Sequence, residues 1–375
     1  MFRTYIADTD DIREALYRFR YQIFTTEQQK YRNIANHERR MLIDTVDEHA
    51  LHLCLEHDGE LIGSMRCLHG LDHVPLSWRL NLSLDKFGQF PSSHFSFSGR
   101  LLILPVHRGS RGLLDLIRYA YELGRSAGSQ FDFISCNPHL VRFYEMMGFR
   151  RYRAYYEDPG LGFQVPMVLV SNDLPHLQAI RSPFAAIAAR SPSDLSPARW
   201  FVDAFPEYQH FVSPVTIGPE AFSEILERKI NDASIALFNG FESTEIDAFL
   251  GMATHLEIPA QTAIVRQGQL GEELFVVLEG VAEVHRHSYN GQVRVLGTIG
   301  RGDVFGEMSV MTARPRSADV IAQSALEVAF IDRSALTKLM KGQPVIASKL
   351  LFNLCRIMSE RIQMREGQWD EPPSH

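Results

Sequence analysis

The stretch that most constrains this chain is Phe305–Ala318, which reads FGEMSVMTARPRSA. A glycine and an acid are followed, some way on, by an arginine and two small residues. That set suits a cyclic sugar phosphate. Arginine presents a planar fork of donors that can meet two phosphate oxygens at once. Small residues after it let backbone N–H groups approach the same anion. The Glu307 carboxylate can accept a ribose hydroxyl, and Gly306 lets the backbone turn tightly over the sugar. Upstream lie Ile264-Val265-Arg266-Gln267-Gly268 and the apolar run Leu274–Val284, with Gly268 and Gly280 at turn positions; Gly302–Glu307 follows.

This order of motifs resembles the cyclic-nucleotide-binding domain of catabolite activator proteins and protein kinase A regulatory subunits, over roughly residues 233–364. The resemblance implies a β-roll holding cAMP or cGMP through Gly306, Glu307, Met308, Arg316, Ser317 and Ala318. Ser317 can also hydrogen-bond guanine, so the choice of base stays open. The bare alternative is a β-roll with no ligand.

At 375 residues there is room for two or three domains. A net charge of −7 argues against a general nucleic-acid binder, whose footprint is basic. Cys54, Cys67, Cys136 and Cys355 are scattered without a CxxC pair, which fits a reducing cytoplasm and neither a disulfide framework nor a zinc site. The N-terminus is charged too early for a signal peptide. No apolar run approaches the ~20 residues that span a bilayer. The expectation is a cytoplasmic protein with no transmembrane segment and no metal.

Read in order, residues 2–7 predict a strand. Asp10-Asp11 can cap a helix through Ile12, Leu16, Phe19 and Ile23, with Arg20 and Phe24 one turn apart. Ala50–His57 and Leu61–Leu68 predict a hairpin turning at Asp58-Gly59. Ser96–Pro105 reads as a central strand, then His107–Gly112 leads into a helix from Leu113 to about Ala127. Phe131–Ser135 reads as a buried strand, and Leu140–Met147 as a helix stopped by Gly148. Tyr152–Tyr156 and Gln164–Val170 read as the last strands of the first domain.

A strand, a glycine-containing turn and a helix make an anion site, because unpaired N–H groups at the helix start point at the ligand. Together with Asn137 and the FYEMMGF segment at 143–149, this turn resembles the GNAT acyltransferases. The resemblance implies that Leu102, Leu104, Arg108, Gly109, Ser110, Arg111 and Gly112 hold an acyl-coenzyme A or phosphopantetheine thioester. The family's loop has glycine where Arg111 sits, and glycine or alanine at Leu113.

Arg20 with Phe24, Asp44 with Asp47, Arg66 and Arg100 resemble the autoinducer synthases and N-acyl amino acid synthases, GNAT relatives that take fatty acyl groups, often from acyl carrier protein. Their E-x-S-R run here reads Phe97-Ser98-Gly99-Arg100, so Phe97 replaces the glutamate and the serine comes one place early. Those departures speak against homoserine-lactone synthesis, and FYEMMGF fits the amino-acid-acylating branch. Tyr144 is then the candidate proton donor, or else a core tyrosine. The arginines and aspartates can equally be a buried ion network bracing the fold. His49, His52, His107 and His139 show no metal spacing and read as surface or loop residues, with His107 or His139 a candidate base.

Ser171–Pro197 reads as loop. Trp200, Phe205, Tyr208 and Phe211 either pack on the first domain or line an acyl cleft, and Glu220–Lys229 reads as a helix. Pro344–Met364 reads as an amphipathic helix, apolar at Ile346, Leu350, Leu354, Ile357 and Met358, that covers the nucleotide pocket. No helix-turn-helix follows, which makes a transcription factor an unfavourable reading.

The expected fold class is α+β: a GNAT-like mixed sheet with flanking helices at 1–200, a connecting segment at 201–232, a cyclic-nucleotide-binding β-roll with helices at 233–364, and a polar tail at 365–375. The expected activity is nucleotide-regulated transfer of an acyl group from a carrier-protein or coenzyme A thioester to an amine such as an amino acid. Backbone N–H groups near Leu102 to Leu104 would hold the oxyanion. The alternatives are a cAMP-regulated protein-lysine acetyltransferase, or a sensor whose acyltransferase domain is degenerate.

Overall fold

The computed structural model describes residues 1–28, 30–107, 109–158, 161–190, 194–206, 213, 215, 221, 225, 235–288 and 290–367. The sequence-predicted helix at Glu220–Lys229, the residues Arg108, Tyr208 and Phe211, and most of the 365–375 tail lie outside them. The chain divides into two compact units, 1–211 and 212–375.

The first unit begins with β1 (Phe2–Ile6) and α1 (Asp10–Arg20). The helix cap is Thr9, whose hydroxyl accepts from the Ile12 N–H at 3.3 Å, rather than either aspartate. A π-helical stretch, Tyr21–Glu27, continues α1 and buries Ile23 and Phe24. The hairpin forms as its sequence predicts: β2 (Leu51–His57) pairs antiparallel with β3 (Glu60–His69) across Asp58 and Gly59, both at positive φ.

After α2 (Leu76–Asn81) comes β4 (Phe95–Ile103), then α3 (Arg111–Ser126), β5 (Phe131–Cys136), α4 (Val141–Met147), β6 (Arg150–Arg151), β7 (Tyr156–Asp158) and β8 (Gly162–Val170). The sheet order is β1-β2-β3-β4-β5-β8-β6, with β7 on β8. It is a mixed sheet, since β4 and β5 are parallel and the other pairs antiparallel.

The segment 171–197 carries helical turns where its composition suggests only loop: α5 (Leu174–Ala179) and α6 (Ala185–Ala188), then α7 (Ser196–Ala204). The Asp173 carboxylate caps α5 by accepting from the His176 N–H. Trp200 and Phe205 pack against Phe87, Phe90 and Phe131 in the core of this unit, so they brace the fold.

The second unit contains α8 (Ser243–Leu250), β9 (Thr254–Ile258), β10 (Ala263–Val265), β11 (Glu273–Glu279), β12 (Ala282–His287), β13 (Val293–Ile299), β14 (Val304–Phe305), α9 (Glu307–Thr312), β15 (Asp319–Ala322), β16 (Leu326–Asp332), α10 (Arg333–Gly342) and α11 (Pro344–Gly367). Two four-stranded antiparallel sheets, β10-β15-β12-β13 and β14-β11-β16-β9, make the roll.

The sequence-predicted apolar face of α11 is the one that packs. Leu350, Leu354 and Ile357 join the core with residues of α8, β11 and α10, and Ile346 and Met358 pack at its edge. Asn353 is buried in the same face. Its amide donates to the carbonyls of Leu237 (2.9 Å) and Asn239 (2.8 Å).

Candidate functional site

In the first unit, β4 and β5 pair only from Phe95–Phe131 to Phe97–Phe133 and then part. The wedge this leaves is bounded by the distal half of β4. There the β3–β4 register shifts and Arg100 takes φ +53°, an uncommon conformation for a residue with a side chain. The shift turns Arg100 onto Asp44.

The five polar residues singled out from the sequence form one buried network. Arg66 Nη1 donates to both Asp44 carboxylate oxygens (2.7 and 2.8 Å) and to Asp47 (3.0 Å). Arg100 Nη2 donates to Asp44 at 2.6 Å, and Arg20 Nη1 to Asp47 at 2.9 Å. Arg100 also stacks 3.7 Å from the Tyr31 ring centre. Arg66 and Arg100, with hydrogen bonds from both, hold Asp44 well below the usual carboxylate range against the opposing effect of burial.

Sequence reasoning misplaced one member. His52 is buried within the network, not at the surface. Its Nδ1 accepts from Arg20 Nη2 (3.1 Å), so Nε2 carries the proton and donates to the Asp47 carbonyl (2.9 Å). Burial first, then the Arg20 charge, push His52 down to about 4, so it is neutral. Its position inside strand β2 was the available signal. A cavity of about 620 Å³ opens beside Tyr17, Asp47 and His52.

The loop before α3 has the turn that its sequence predicts. The turn Pro105–His107 precedes α3, Gly109 has φ +77°, and Ser110 caps the helix with its hydroxyl buried and unpartnered among the described residues. Arg111 is exposed and lies 3.7 Å from Asp115. Gly112 has a packing reason to be glycine, because a Cβ there would come within 2.7 Å of the Phe2 ring.

The expectation of a free N–H at Leu104 does not hold. The Leu104 N–H donates to the Ile62 carbonyl at 2.9 Å and is not available to a substrate. Alternation along the antiparallel ladder gives Leu102 the same orientation and turns the Ile103 N–H away from β3, toward the wedge.

Tyr144 lies on α4, buried between Phe143 and Phe149. Burial, then Cys136 and Asp132 nearby, push its hydroxyl above the ordinary tyrosine range, so it stays protonated. Asp132 was missed by the sequence reading, as a single acid in an apolar strand. It sits within the short paired stretch of β4 and β5, opposite Ser96, accepting from the hydroxyls of Ser96 (3.0 Å) and Ser98 (2.8 Å). Burial pushes it up to about 6 despite those bonds.

In the second unit, Gly306 (φ +86°) starts α9 and Ala313 (φ +57°) ends it, which folds the FGE…RSA stretch into a cassette. Arg316 is buried. Its Nη2 donates to the Glu273 carboxylate (2.8 Å), and Nη1 to the carbonyls of Glu273 and Gly306 (both 3.1 Å). The Nε–H and the second Nη2 hydrogen form the edge that these three bonds do not use.

That edge faces Gly271, where a Cβ would lie 2.5 Å from Arg316 Cζ. Glu273 and Gly271 escaped the sequence reading. Ser317 and Met308 are exposed beside Arg316, and Ala318 is buried. Glu307 lies 3.5 Å from Arg361 of α11, which also donates to the Val304 carbonyl at 2.6 Å.

A mixed α/β unit with a parted parallel strand pair, followed by a β-roll with an arginine cassette, defines the class. Residues 15–173 match the family model of N-acyl amino acid synthase FeeM, and residues 255–343 match that of the cyclic nucleotide-binding domain. The chain is 32% identical over 124 residues to the cyclic AMP receptor protein of Thermus thermophilus, covering 33% of this chain and 57% of that one. It is 37% identical over 83 residues to the cAMP-dependent protein kinase regulatory subunit of Mycosarcoma maydis, covering 21% and 16%. The chain thus spans little more than half the length of the first of these relatives, and far less of the second.

Among solved structures, a cyclic nucleotide-binding domain from Methylobacillus flagellatus is 26% identical with TM-score 0.36, over 40% of this chain and 83% of that one. The Thermus thermophilus catabolite activator protein is 29% identical with TM-score 0.33, over 36% and 62%. By its two family models the chain joins a segment similar to N-acyl amino acid synthases to one similar to cyclic nucleotide-binding domains, and it is linked in general terms to acyl transfer and cyclic nucleotides. Among the described residues no helix is long and apolar enough to cross a membrane.

Proposed function

We propose that the chain is a cyclic-nucleotide-regulated N-acyltransferase of the GNAT type. It would move a fatty acyl group from acyl carrier protein or coenzyme A to the amine of an amino acid. The observation that carries this reading is the buried network beside the parted strands. Three arginines face two aspartates there, and Arg100 Nη1 has no hydrogen-bond partner among the described residues. Uncompensated buried positive charge suits the carboxylate of an amino acid.

The working boundaries are an acyltransferase domain at 1–200, a link at 201–232, a nucleotide domain at 233–364 and a tail at 365–375, in a cytoplasmic protein. The thioester carbonyl would sit in the wedge with its developing oxyanion at the Ile103 N–H. The neutral amine attacks that carbon, and its proton passes to the Asp132 carboxylate through Ser98. The C–S bond breaks, and Tyr144 protonates the departing thiolate. Loss of such an acid typically costs ~10²–10⁴ in rate.

The test compares long-chain acyl carrier protein with acetyl-coenzyme A as donor, and free amino acids with protein lysines as acceptor. Long-chain transfer to an amino acid, slowed in Tyr144→Phe without loss of folding, is the expected outcome. Acetyl transfer to lysine would overturn the acceptor assignment, and silence with every donor would leave a sensor with a degenerate first domain. The nucleotide half is tested by calorimetry with cAMP and cGMP. Arg316→Ala should weaken binding ten- to a hundredfold or more.

A further inference from the structure

The outer strand of one roll sheet carries a side-chain cluster that neither the acyl-transfer nor the nucleotide reading uses. Glu257 on β9 stands directly opposite Glu327 on β16, and His255 stands opposite Ala329. A period of two puts His255, Glu257 and Glu327 on the same face. The His255 ring is buried, with Nε2 3.3 Å from a Glu327 carboxylate oxygen. One ligand atom from each of the three residues lies within 4.8 Å of the others. Two like charges directly opposed across a ladder are unfavourable. Five register pairs hold β9 on β16 and keep the two carboxylates opposed, and a shared cation would relieve the repulsion.

We propose that His255, Glu257 and Glu327 form a binding site for a first-row divalent cation, zinc above all. One imidazole nitrogen and two carboxylates make three ligands and leave a fourth position for water. The mixed nitrogen and oxygen set favours zinc over magnesium or calcium, which prefer all-oxygen shells. Ligand atoms about 3.3–3.5 Å apart suit tetrahedral bonds of about 2.0–2.2 Å. The His255–Glu327 separation already has that value, and exposed Glu257 needs only a side-chain rotation to close the set. The spacing does not show in the sequence, because Glu327 comes from a strand far along the chain. A bound ion would tie β9 to β16.

The test uses tag-free, chelator-treated full-length protein, with zinc chloride titrated by calorimetry and by the shift in thermal midpoint. Wild type should bind and be stabilised, and Glu257→Gln and His255→Gln should each weaken that binding about tenfold or more. The stacked His49 and His73 rings, 3.5 Å apart, offer zinc a second place, so the difference between wild type and variant is the reading. Unchanged zinc affinity in Glu257→Gln overturns the site. That exposed position carries the test even where His255→Gln fails to fold. A response to magnesium or calcium but not zinc overturns the ion assignment. No response to any of the three leaves a plain histidine–carboxylate pair and ends the proposal.

Discussion

Replacing Gly271 by alanine probes the nucleotide cassette without touching any residue the sequence pointed to. The new methyl would fall on Nε, Nη2 and Cζ of Arg316, on the edge of the guanidinium not already bonded to Glu273 or Gly306. The obstructing atoms are the end of a flexible side chain, so the fold can yield, but Arg316 must leave its three hydrogen bonds or turn its free edge away. A hydrogen bond to a charged group is worth about 1.5–3 kcal/mol. Loss of one such bond to a phosphate weakens binding by about ten- to a hundredfold.

Gly300→Ala is the control, since it has ordinary φ and nothing within 4 Å of its new methyl. Calorimetry with cAMP and cGMP on the full-length chain reads the affinities, and thermal unfolding reads the fold. Gly271→Ala should lose affinity while Gly300→Ala keeps it. If Gly271→Ala binds as tightly as wild type while Arg316→Ala does not, the edge facing Gly271 is not where the anion docks, and the reasoning fails.

Asp132→Asn should separate catalysis from stability. A carboxyl that titrates near 6 in the fold and near 4 when unfolded has its ionised form disfavoured by about 3 kcal/mol, a cost absent below about pH 4 and complete above about pH 6. The variant should thus gain up to that much at pH 8 and little at pH 4, by urea midpoints, while its acyl transfer slows; an equal effect at both pH values refutes the burial argument. Arg66→Met removes the cation shared by Asp44 and Asp47 and should cost about 3–5 kcal/mol, read by denaturant unfolding. Because Asp44 and Asp47 are held low in the fold, the stability they lend wild type is present above about pH 4 and falls away as acid protonates them. Arg361→Ala cuts α11 from Glu307 and the Val304 carbonyl without removing core. A nucleotide effect on acyl transfer within the roughly five- to 150-fold range of typical coupling should shrink to near none, and an undiminished effect would place the coupling elsewhere.

The hairpin at Asp58-Gly59, the central strand and the α11 stripe were legible because each is local: a turn residue with positive φ, or an apolar period. The cassette was legible because its residues sit close together in the chain. What escaped came from pairing across distance. Glu273 reaches Arg316 from a strand 43 positions earlier. Asp132 becomes unusual only through burial in the assembled sheet, against the opposing hydrogen bonds of Ser96 and Ser98. His52 looked like any polar residue in an alternating strand until α1 brought Arg20 over it. The amide of Leu104 could be excluded as an oxyanion donor only once the β3–β4 register was known.

Asn353 bears on how α11 can move. Its amide ties the middle of α11 to two backbone carbonyls, and Ile357 one turn further on is still in the core. The helix therefore cannot swing as a whole from its proline. A bending point would lie beyond Met358, which leaves Ser359–Gly367, a lever of about 14 Å at 1.5 Å per residue. Arg361 sits near the start of that lever, so a small tilt at Glu307 would become a larger sweep at the far end.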